Sequence, residues 1–259
     1  MRNPRSILIT GASSGMGAAL AQGYAAPGVS LALTGRRAAH LDSVAQACRA
    51  AGAEAETAVL EITSAEPLIR WIMTVDRHRP LDLVIANAGM TGGDTELGDE
   101  ETADDVERMM AVNFGGAVST IHAVIPAMQE RRRGQIALVS SLAALRGLPY
   151  SPAYCASKAA LKAYAEALRT RLRRDGIAVS IILPGFVDTR LSQHVDGPKP
   201  LMMSPERAAR IIRRGLARNS AVIAFPFLLY AGTRLLAALP SALVDPCLNA
   251  IRVAIRRYE

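Results

Sequence analysis

Two side chains capable of acid–base chemistry stand four residues apart in the segment SPAYCASKAALKAY, where Tyr154 precedes Lys158. Residues four apart on a helix share one face, so the phenol and the ammonium would lie side by side. Only three of the 30 basic residues are lysine, Lys158, Lys162 and Lys199, which leaves 27 arginines. A lysine kept against that bias is suited to work that guanidinium cannot do, because an ammonium is compact and can lose its proton. A Tyr-x-x-x-Lys match arises often by chance, so its meaning depends on the surrounding elements.

Short apolar runs alternate with longer amphipathic runs along most of the chain, a pattern typical of α/β proteins. The predicted strands cover residues 6–10, 30–34, 54–59, 81–86, 135–140, 178–183 and 221–224. The predicted helices cover residues 17–25, 38–51, 65–77, 104–131, 153–174 and 205–217. This alternation predicts right-handed crossovers and a doubly wound, Rossmann-type parallel sheet. Ligands of such sheets bind at the carboxyl ends of the strands, so the residues that follow each strand are the candidates for function.

A glycine-rich segment, TGASSGMG, follows the first predicted strand and opens the first predicted helix. Glycines at such a place let the backbone turn tightly and approach a pyrophosphate, whose charge the helix N-terminus favours. The alternative is an ordinary glycine-rich turn. The predicted cofactor-binding residues of this loop are Gly11, Ser13, Ser14, Gly15, Met16 and Gly17.

The spacing Gly-x-x-x-Gly-x-Gly in this loop resembles the hallmark of the classical short-chain dehydrogenase/reductase family. Further elements match that family in chain order from residue 6 to about residue 190. Ser141 lies 13 residues before Tyr154, as the family's serine does, and neighbouring Ser140 is interpreted as structural. The remaining matches are Asn87-Ala88-Gly89 after the fourth strand, Asn113 in AVNFGG, Tyr154 and Lys158, and Pro184-Gly185 with Val187 and Thr189.

The resemblance implies hydride transfer between a nicotinamide and a carbonyl or alcohol carbon, with Asn113, Ser141, Tyr154 and Lys158 as the catalytic set. Tyrosine has a pKa of about 10, and a neighbouring ammonium favours its phenolate form. Tyr154 is therefore the expected general acid in reduction and base in oxidation. The resemblance implies that Lys158 binds the nicotinamide ribose hydroxyls and that Ser141 hydrogen-bonds the substrate oxygen. It also implies that Asn113, through its backbone and water, connects Lys158 to solvent.

The choice of cofactor is expected to be decided after the second strand. An acidic residue there would bind the ribose 2′-hydroxyl and favour NAD, whereas this chain has Gly35 followed by Arg36 and Arg37. Because arginine pairs well with phosphate, NADP(H) is favoured over NAD(H), with Arg36 as the main contact. The alternative is two solvent-facing arginines at the start of a helix. Glu61-Ile62 occupies the place where the family usually has Asp-Val beside the adenine.

Bulk composition excludes several other classes. The net charge is +7, but the basic residues are spread along the chain and only 4 % of residues are aromatic, so a nucleic-acid partner is not expected. Cys48, Cys155 and Cys247 and the four histidines lack metal-ligand spacing, which predicts free thiols, no metal site and a reducing compartment. The N-terminus lacks a charged-then-apolar signal region, and the expected location is cytoplasmic.

The C-terminal part departs from the commonest pattern of the family. Residues 1–225 are predicted to form the NADP-binding catalytic domain, with a substrate lid at about 190–205, and residues 226–259 an apolar helical extension of the same domain. The longest uncharged run in the C-terminal part, residues 219–233, contains Pro226 and is shorter than the roughly 20 residues of a membrane span. Two short helices broken at Pro240 are expected, packing on the core, on the substrate cleft or on a second subunit. Peripheral membrane contact, with Arg252, Arg256 and Arg257 at the headgroups, is the alternative.

The sequence thus predicts an NADP(H)-dependent oxidoreductase that interconverts a carbonyl and a secondary alcohol, as a homodimer or homotetramer. The substrate is expected to be apolar or amphipathic, since the lid, the apolar tail and the segment after Ser141 suggest an apolar cleft; the segment supplies Leu142, Ala143, Leu145, Leu148 and Pro149. The alternative is that these residues belong to the core. Two alternatives are an epimerase or dehydratase acting on nucleotide sugars, and a non-catalytic NADP(H)-sensing protein on the same fold. The glycine spacing and length argue against the first, and the complete catalytic set argues against the second.

Overall fold

The computed structural model describes residues 3–92, 101–249 and 254–255. Seven parallel strands form one sheet in the order β3-β2-β1-β4-β5-β6-β8. These strands are β1 (Ser6–Thr10), β2 (Ser30–Gly35), β3 (Glu54–Val59), β4 (Leu83–Ala86), β5 (Gly134–Val139), β6 (Ile177–Pro184) and β8 (Val222–Phe225). The chain order reverses between β1 and β4, and the cleft for a ligand in such a sheet lies at that point.

Helices cover both faces of the sheet, as the alternating pattern predicts. Those of the first part of the chain are α1 (Gly15–Tyr24), α2 (Ala38–Ala50), α3 (Ala65–His78), α4 (Ala103–Met110), α5 (Gly116–His122) and α6 (Ile125–Glu130). Those of the second part are α7 (Pro152–Leu172), α8 (Arg190–Gln193), α9 (Pro205–Ala217), α10 (Phe227–Ala238) and α11 (Ser241–Asn249). The fold class, a doubly wound Rossmann-type sheet in a single domain, is confirmed.

The sheet separates two apolar cores, one on each of its faces. Successive side chains of a strand point to opposite faces, and in β1 this sends Ile7 and Ile9 into one core and Leu8 into the other. The first core includes Leu20 of α1 and Ile212 of α9. The second includes residues of α3, α5 and α7. Strands buried on both faces explain why the sequence shows continuous apolar runs rather than alternation.

The helical region predicted for residues 104–131 is broken into shorter pieces. A π-helical turn (Ala111–Gly115) separates α4 from α5, and Pro126 lies in the first turn of α6. Proline lacks the N–H that an interior helical position donates, but it is tolerated in a first turn, where that N–H has no intrahelical partner. The sequence pattern carries no comparable signal for the π turn, whose role is structural and is described below.

The C-terminal extension begins after β8, which pairs in parallel with β6. It forms the two expected short helices, α10 and α11, with the break at Leu239 and Pro240. A short strand β9 (Ala254–Ile255) then pairs antiparallel with β7 (Val195–Asp196), which lies in the predicted lid. Arg252, Arg256 and Arg257, the proposed headgroup contacts, lie outside the described residues.

Candidate active site

The glycine-rich loop between β1 and α1 has three positions, Gly11, Gly15 and Gly17, that favour glycine over any larger residue. Gly11 and Gly15 have φ angles of +66° and +55°, in the left-handed region that favours glycine. A Cβ on Gly17 would lie 2.2 Å from the backbone oxygen of Gly11. Ser14 is the N-cap of α1, yet its side chain makes no capping hydrogen bond. The first N–H groups of α1 are therefore available to an anion at this helix N-terminus.

Asn87 and Thr10 hold the ends of β4 and β1 together beside this loop. The Thr10 hydroxyl accepts from the N–H groups of Asn87 and Ala88, at 3.0 and 3.1 Å. In return the Asn87 amide donates to the backbone oxygens of Thr10 and Gly11, at 2.9 and 3.3 Å. Asn87 and Ala88 thus hold the start of the glycine-rich loop in place through hydrogen bonds to Thr10 and Gly11. Thr10 was missed by the sequence analysis, and its one signal is a buried hydroxyl at the end of an apolar strand.

Arg36 and Glu61 meet at the ends of β2 and β3. Nη1 of Arg36 lies 3.7 Å from Oε2 of Glu61, and the two side chains are 65 % and 41 % exposed. Gly35 lies against Ser13, since a Cβ there would be 3.1 Å from the Ser13 side chain. An acidic residue at position 35 would press on the glycine-rich loop. Arg37, half-buried, is the N-cap of α2.

Ile62 belongs to the core rather than to an open surface. It is 8 % exposed, and a Cβ on Gly116 of α5 would lie 2.5 Å from its Cγ1. Its N–H donates to the Glu61 carboxylate at 3.1 Å. The Glu61-Ile62 pair therefore fixes the end of β3 against α5 and directs the Glu61 side chain towards Arg36.

Lys158 and Tyr154 lie on one face of α7, as their spacing predicts. Nζ of Lys158 is 5.7 Å from the centre of the Tyr154 ring and donates to the backbone oxygen of Val139 at the end of β5, at 3.1 Å. A Cβ on Gly89 would lie only 3.2 Å from the same Nζ. Burial lowers the pKa of the Lys158 ammonium from 10.5 to about 8. The structure thus brings Tyr154, Lys158 and Gly89 together at the carboxyl edge of the sheet.

Asn113 lies at the middle of the π turn and ties three segments together. Its amide Nδ2 donates to the backbone oxygen of Met90 and to the Ser157 hydroxyl, both at 3.0 Å. Its Oδ1 accepts from the Met90 N–H at 2.8 Å. Ser157 in turn donates to the backbone oxygen of Tyr154 at 2.8 Å. With both side-chain N–H groups engaged, a further hydrogen bond to Asn113 would involve its main chain or the second lone pair of Oδ1. π turns interrupt α-helices at functional sites in many proteins.

The two adjacent serines at the end of β5 have different partners. Ser140, 3 % exposed, donates to the backbone oxygen of Lys158 at 2.7 Å, which agrees with its interpretation as structural. Ser141 is less buried, and its hydroxyl accepts from the N–H of Ala143 at 3.1 Å. A hydroxyl that accepts a backbone N–H keeps its own O–H to donate elsewhere.

The Pro184-Gly185 segment runs from the end of β6 to the lid. A methyl carbon of Thr189 lies 2.9 Å from where a Cβ on Gly15 would be, so this segment closes over the glycine-rich loop. Thr189 caps α8, the first turn of the lid, by accepting from the Ser192 N–H. Val187 is buried and pairs with Met203 at the far end of the lid. Both ends of the lid are thus anchored at the same place.

Two further residues near α7 were missed by the sequence analysis. The Glu101 carboxylate accepts from the N–H of Ala153 at 2.8 Å and so caps α7 one residue before Tyr154. Burial raises the pKa of Glu101. Arg146, in the segment after Ser141, donates to Asp245 of α11 at 2.9 Å. Neither side chain stands in a motif, and their partners are 52 and 99 residues away in sequence.

Other kinds of site have no support in the part of the chain that the structure describes. Within residues 3–92, 101–249 and 254–255 there is no group of His, Cys, Asp and Glu that could hold a metal ion. Cys48 and Cys155 are buried free thiols, and burial raises the pKa of both. Among these residues no helix combines the length and the apolar character needed to cross a bilayer.

Comparison with known proteins gives a consistent set of relatives. The family described as short chain dehydrogenase matches residues 5–199. A protein of Myxococcus xanthus named an uncharacterized oxidoreductase is 38 % identical over 249 residues, which are 96 % of this chain and 98 % of that protein.

Two solved structures of short-chain dehydrogenases are similar to this chain over most of its length. A short-chain dehydrogenase from Sphingobium yanoikuyae in complex with NADPH is 25 % identical with a TM-score of 0.76, covering 95 % of this chain and 96 % of its own. A short chain dehydrogenase from Mycobacterium paratuberculosis bound to NAD is 26 % identical with a TM-score of 0.72, covering 85 % and 94 %. The two neighbours hold different nicotinamide cofactors, so the choice between them depends on this chain's own residues.

Proposed function

This chain belongs to the short-chain dehydrogenase family, and on that premise we propose that it is an NADPH-preferring carbonyl reductase working reversibly as an alcohol dehydrogenase. Membership makes it an oxidoreductase of the CH–OH group. The observation that carries the proposed chemistry is the buried Lys158 beside Tyr154 and Gly89 at the carboxyl edge of the sheet. When bound there, the nicotinamide supplies or accepts the hydride.

The proton is moved by Tyr154. Lys158 is still mainly an ammonium at pH 7, because its pKa of about 8 lies above that pH, and its charge favours the phenolate form of the neighbouring tyrosine. Tyr154 donates the proton to the carbonyl oxygen in reduction and takes it back in oxidation. Ser141 donates to the same oxygen as negative charge develops there. Asn113 fixes Ser157 and, through it, the backbone of Tyr154.

The residues present fit a dinucleotide cofactor. Gly11, Gly15 and Gly17 leave the space that a pyrophosphate needs at the N-terminus of α1, and Lys158 has N–H groups beyond the one given to Val139. The 2′-phosphate of NADP(H) is assigned to Arg36 as the main contact and to Arg37 as a second contact. No carboxylate stands at position 35, and the Arg36 side chain is largely exposed. The remaining cofactor contacts are assigned to Ser13, Asn87, Ala88, Pro184, Gly185, Val187 and Thr189.

The substrate is proposed to be an apolar or amphipathic carbonyl compound. The segment after Ser141 supplies Leu142, Leu145 and Leu148, and α10 adds Leu229, which packs beside Gly185 and Leu142. Such a lining favours hydrocarbon over sugar or phosphate.

We also propose that the enzyme is a homodimer or homotetramer in the cytoplasm. We assign the association to the outer faces of α5 and α7, where His122 and Tyr164 of one chain are hydrogen-bonded at 2.6 Å. The free thiols of Cys48 and Cys155 suit a reducing compartment. Light scattering of the purified protein tests this, and a monomeric mass would contradict it.

Peripheral membrane contact is a second candidate interaction, favoured by the exposed apolar side of α10. Phe227, Leu228 and Leu235 are 77 %, 72 % and 65 % exposed. Flotation with anionic liposomes tests it. Binding that is lost in Leu228→Ser with Leu235→Ser, and kept in Val59→Ser with Met73→Ser, would support the contact. Absence of binding by the unaltered chain would exclude it.

The test of the main proposal is turnover of NADPH with a panel of ketones and aldehydes. We expect reduction by the unaltered chain, and a fall of about 10- to 100-fold in the NADPH-to-NADH preference for Arg36→Asp, since a charge-assisted pair is lost. An unchanged preference would show that Arg36 does not hold the phosphate. Tight NADPH binding without reduction of any compound would favour the sensor alternative instead.

A further inference from the structure

The C-terminal extension contacts three segments that border the proposed substrate cleft. At the first, Leu229 of α10 covers Gly185. A Cβ on Gly185 would lie 2.9 Å from Cδ2 of Leu229 and 3.4 Å from Cδ1 of Leu142. Leu142 directly follows Ser141. Leu229 and the residue after Ser141 therefore both lie against Gly185, in the segment assigned to the nicotinamide end.

At the second, Arg146 ties α11 to the segment that follows Ser141. Nη2 of Arg146 donates to Oδ1 of Asp245 at 2.9 Å and to the Ser241 hydroxyl at 3.4 Å. The Arg146 side chain is 20 % exposed and that of Asp245 is 56 % exposed, so this ion pair is partly open to solvent. Ala143, in the same segment, donates its N–H to Ser141. A shift of the segment would thus move the Ser141 hydroxyl.

The ion pair spans a groove that separates α11 from α7. The groove has a volume of about 660 Å³, and Arg146, Asp245, Cys155 and Ala159 are among its lining residues. Cys155 and Ala159 share one face of α7, whereas Tyr154 and Lys158 lie on another. The groove also runs along the segment after Ser141, because Leu145 and Leu148, which the proposed function assigns to the substrate cleft, are among its lining residues.

At the third, the end of the extension pairs with the lid. Val195 of β7 is opposite Ile255 of β9, and Asp196 is opposite Ala254. Among the described residues of the extension, no residue of α10 is fully buried, although Leu229 and Tyr230 pack against the core, and Val244 of α11 is buried. The ion pair and the strand pairing add directional polar contacts to this limited apolar packing.

We propose that the C-terminal extension is the outer wall of the substrate cleft, with Leu229 as a specificity-determining residue and Arg146 as the positioning residue that holds the wall. The inference rests on the proposed carbonyl reduction, since it concerns which carbonyl compounds fit. It assigns substrate size selection to a part of the chain that lies beyond the matched residues 5–199.

The test compares kcat/KM for a small aliphatic ketone and for a bulky polycyclic ketone. Leu229→Ala opens space over Gly185 and should raise the bulky-to-small ratio by about 10-fold, the range that a few methylene groups decide in an apolar pocket. Arg146→Met releases the wall and should raise the ratio by about 3-fold, in keeping with a partly exposed ion pair. Arg146→Asp combined with Asp245→Arg reverses the pair and should restore the original ratio.

The matched control is Arg79→Met, which breaks a 2.8 Å ion pair with Glu54 at the amino edge of the sheet. It should leave the ratio unchanged, and the NADPH dissociation constant should stay within about 2-fold in every variant. A ratio that moves less than about 2-fold in both Leu229→Ala and Arg146→Met would overturn the proposal.

Hydrogen exchange separates this proposal from that of carbonyl reduction. Amide exchange of residues 142–151 and 195–196, measured by mass spectrometry, should rise in Arg146→Met but not in Arg79→Met. If the unaltered chain reduces no ketone, the proposed function fails, and exchange alone then decides on the wall. Equal exchange in both variants would show that Arg146 does not hold it.

Discussion

Lys158 is deeply buried and is still mainly protonated at pH 7. Its side chain is 4 % exposed, and desolvation lowers its pKa to about 8. Few other side chains could bring a charge to this point, because Gly89, Val139 and Asn113 lie close around the ammonium. A guanidinium is larger and planar, and its N–H donors form a rigid fork, so it cannot replace the compact ammonium at this position.

Lys158→Arg is therefore expected to keep the fold and lose most activity. We expect kcat to fall by about 10²- to 10⁴-fold, the usual contribution of a positioned proton-transfer system. The matched control is Lys162→Arg, one helical turn further along α7, where the ammonium pairs with Glu166. Circular dichroism and steady-state rates of both variants give the comparison. Full activity in Lys158→Arg would remove the lysine from the mechanism.

The lowered pKa of Lys158 predicts a pH dependence of cofactor binding. Below pH 8 the free enzyme carries the ammonium that donates to the ribose. Above it, binding requires uptake of a proton, so the affinity for NADPH should fall up to about tenfold per pH unit. Titration by nicotinamide fluorescence from pH 6 to pH 10 should show this bend in the unaltered chain and not in Lys158→Met. The same bend in both proteins would assign it to another group.

Glu61 should weaken the preference for NADP(H). Its carboxylate lies 3.7 Å from Arg36, so it competes with a 2′-phosphate for the guanidinium. Both side chains are well exposed, which keeps the effect small. Glu61→Gln should raise the NADPH-to-NADH affinity ratio by about 2- to 5-fold. The gain should vanish when Arg36→Met is also present, and a gain that persists would place Glu61 elsewhere in the cofactor site.

Much of the site could be predicted residue by residue, since each motif follows a strand of the predicted sheet. Ser140 and Ser141 could be assigned different roles before their contacts were known, because only one has the spacing to Tyr154. Thr10, Glu101 and Arg146 could not. Their functions depend on partners distant in sequence, and a threonine, a glutamate or an arginine outside a motif has many ordinary roles.

At the scale of elements, the π turn around Asn113 joins α4, α5 and α7. Asn113 is completely buried, and its three hydrogen bonds connect Met90 after β4 with Ser157 on α7. A regular α-helix through residues 104–122 would turn this side chain away from at least one of those partners, since side-chain direction changes by about 100° per residue. The extra residue of the π turn re-aims it.

Asn113→Ala should destabilise the protein more than Ser157→Ala. The first change leaves the N–H and C=O of Met90 without their partner, at roughly 3 kcal/mol of unfolding free energy, and the second removes a single side-chain link worth about 1 kcal/mol. Urea denaturation of the two variants measures the difference. Equal midpoints would mean that the π turn holds its shape without the amide.

The strand and helix pattern of the sequence predicts the sheet, because parallel strands buried on both faces leave continuous apolar runs. It does not predict the π turn, in which each hydrogen bond spans five residues instead of four, because one such turn leaves the apolar periodicity nearly intact. The pairing of β7 with β9 is missed for a related reason. Each of these strands has two residues, too few for any alternation to be visible.

For the whole molecule, the net charge of +7 predicts faster capture of an anionic cofactor at low salt. Electrostatic steering raises association rates, and the Debye length shrinks from about 30 Å at 0.01 M salt to about 10 Å at 0.1 M. Stopped-flow association of NADPH should slow over this range, whereas kcat for a neutral ketone at saturating NADPH should change little. A salt-independent association rate would show that the positive charges are too dispersed to steer.

Thr189 caps the first turn of the lid and also lies against Gly15 in the glycine-rich loop. One side chain therefore belongs to both the surface proposed to hold the pyrophosphate and the hinge of the segment proposed to cover the substrate. Two events that share a contact are thermodynamically linked, and such linkage is reciprocal. Whatever fold-change in affinity the cofactor causes for a substrate held under the lid, the substrate must cause for the cofactor.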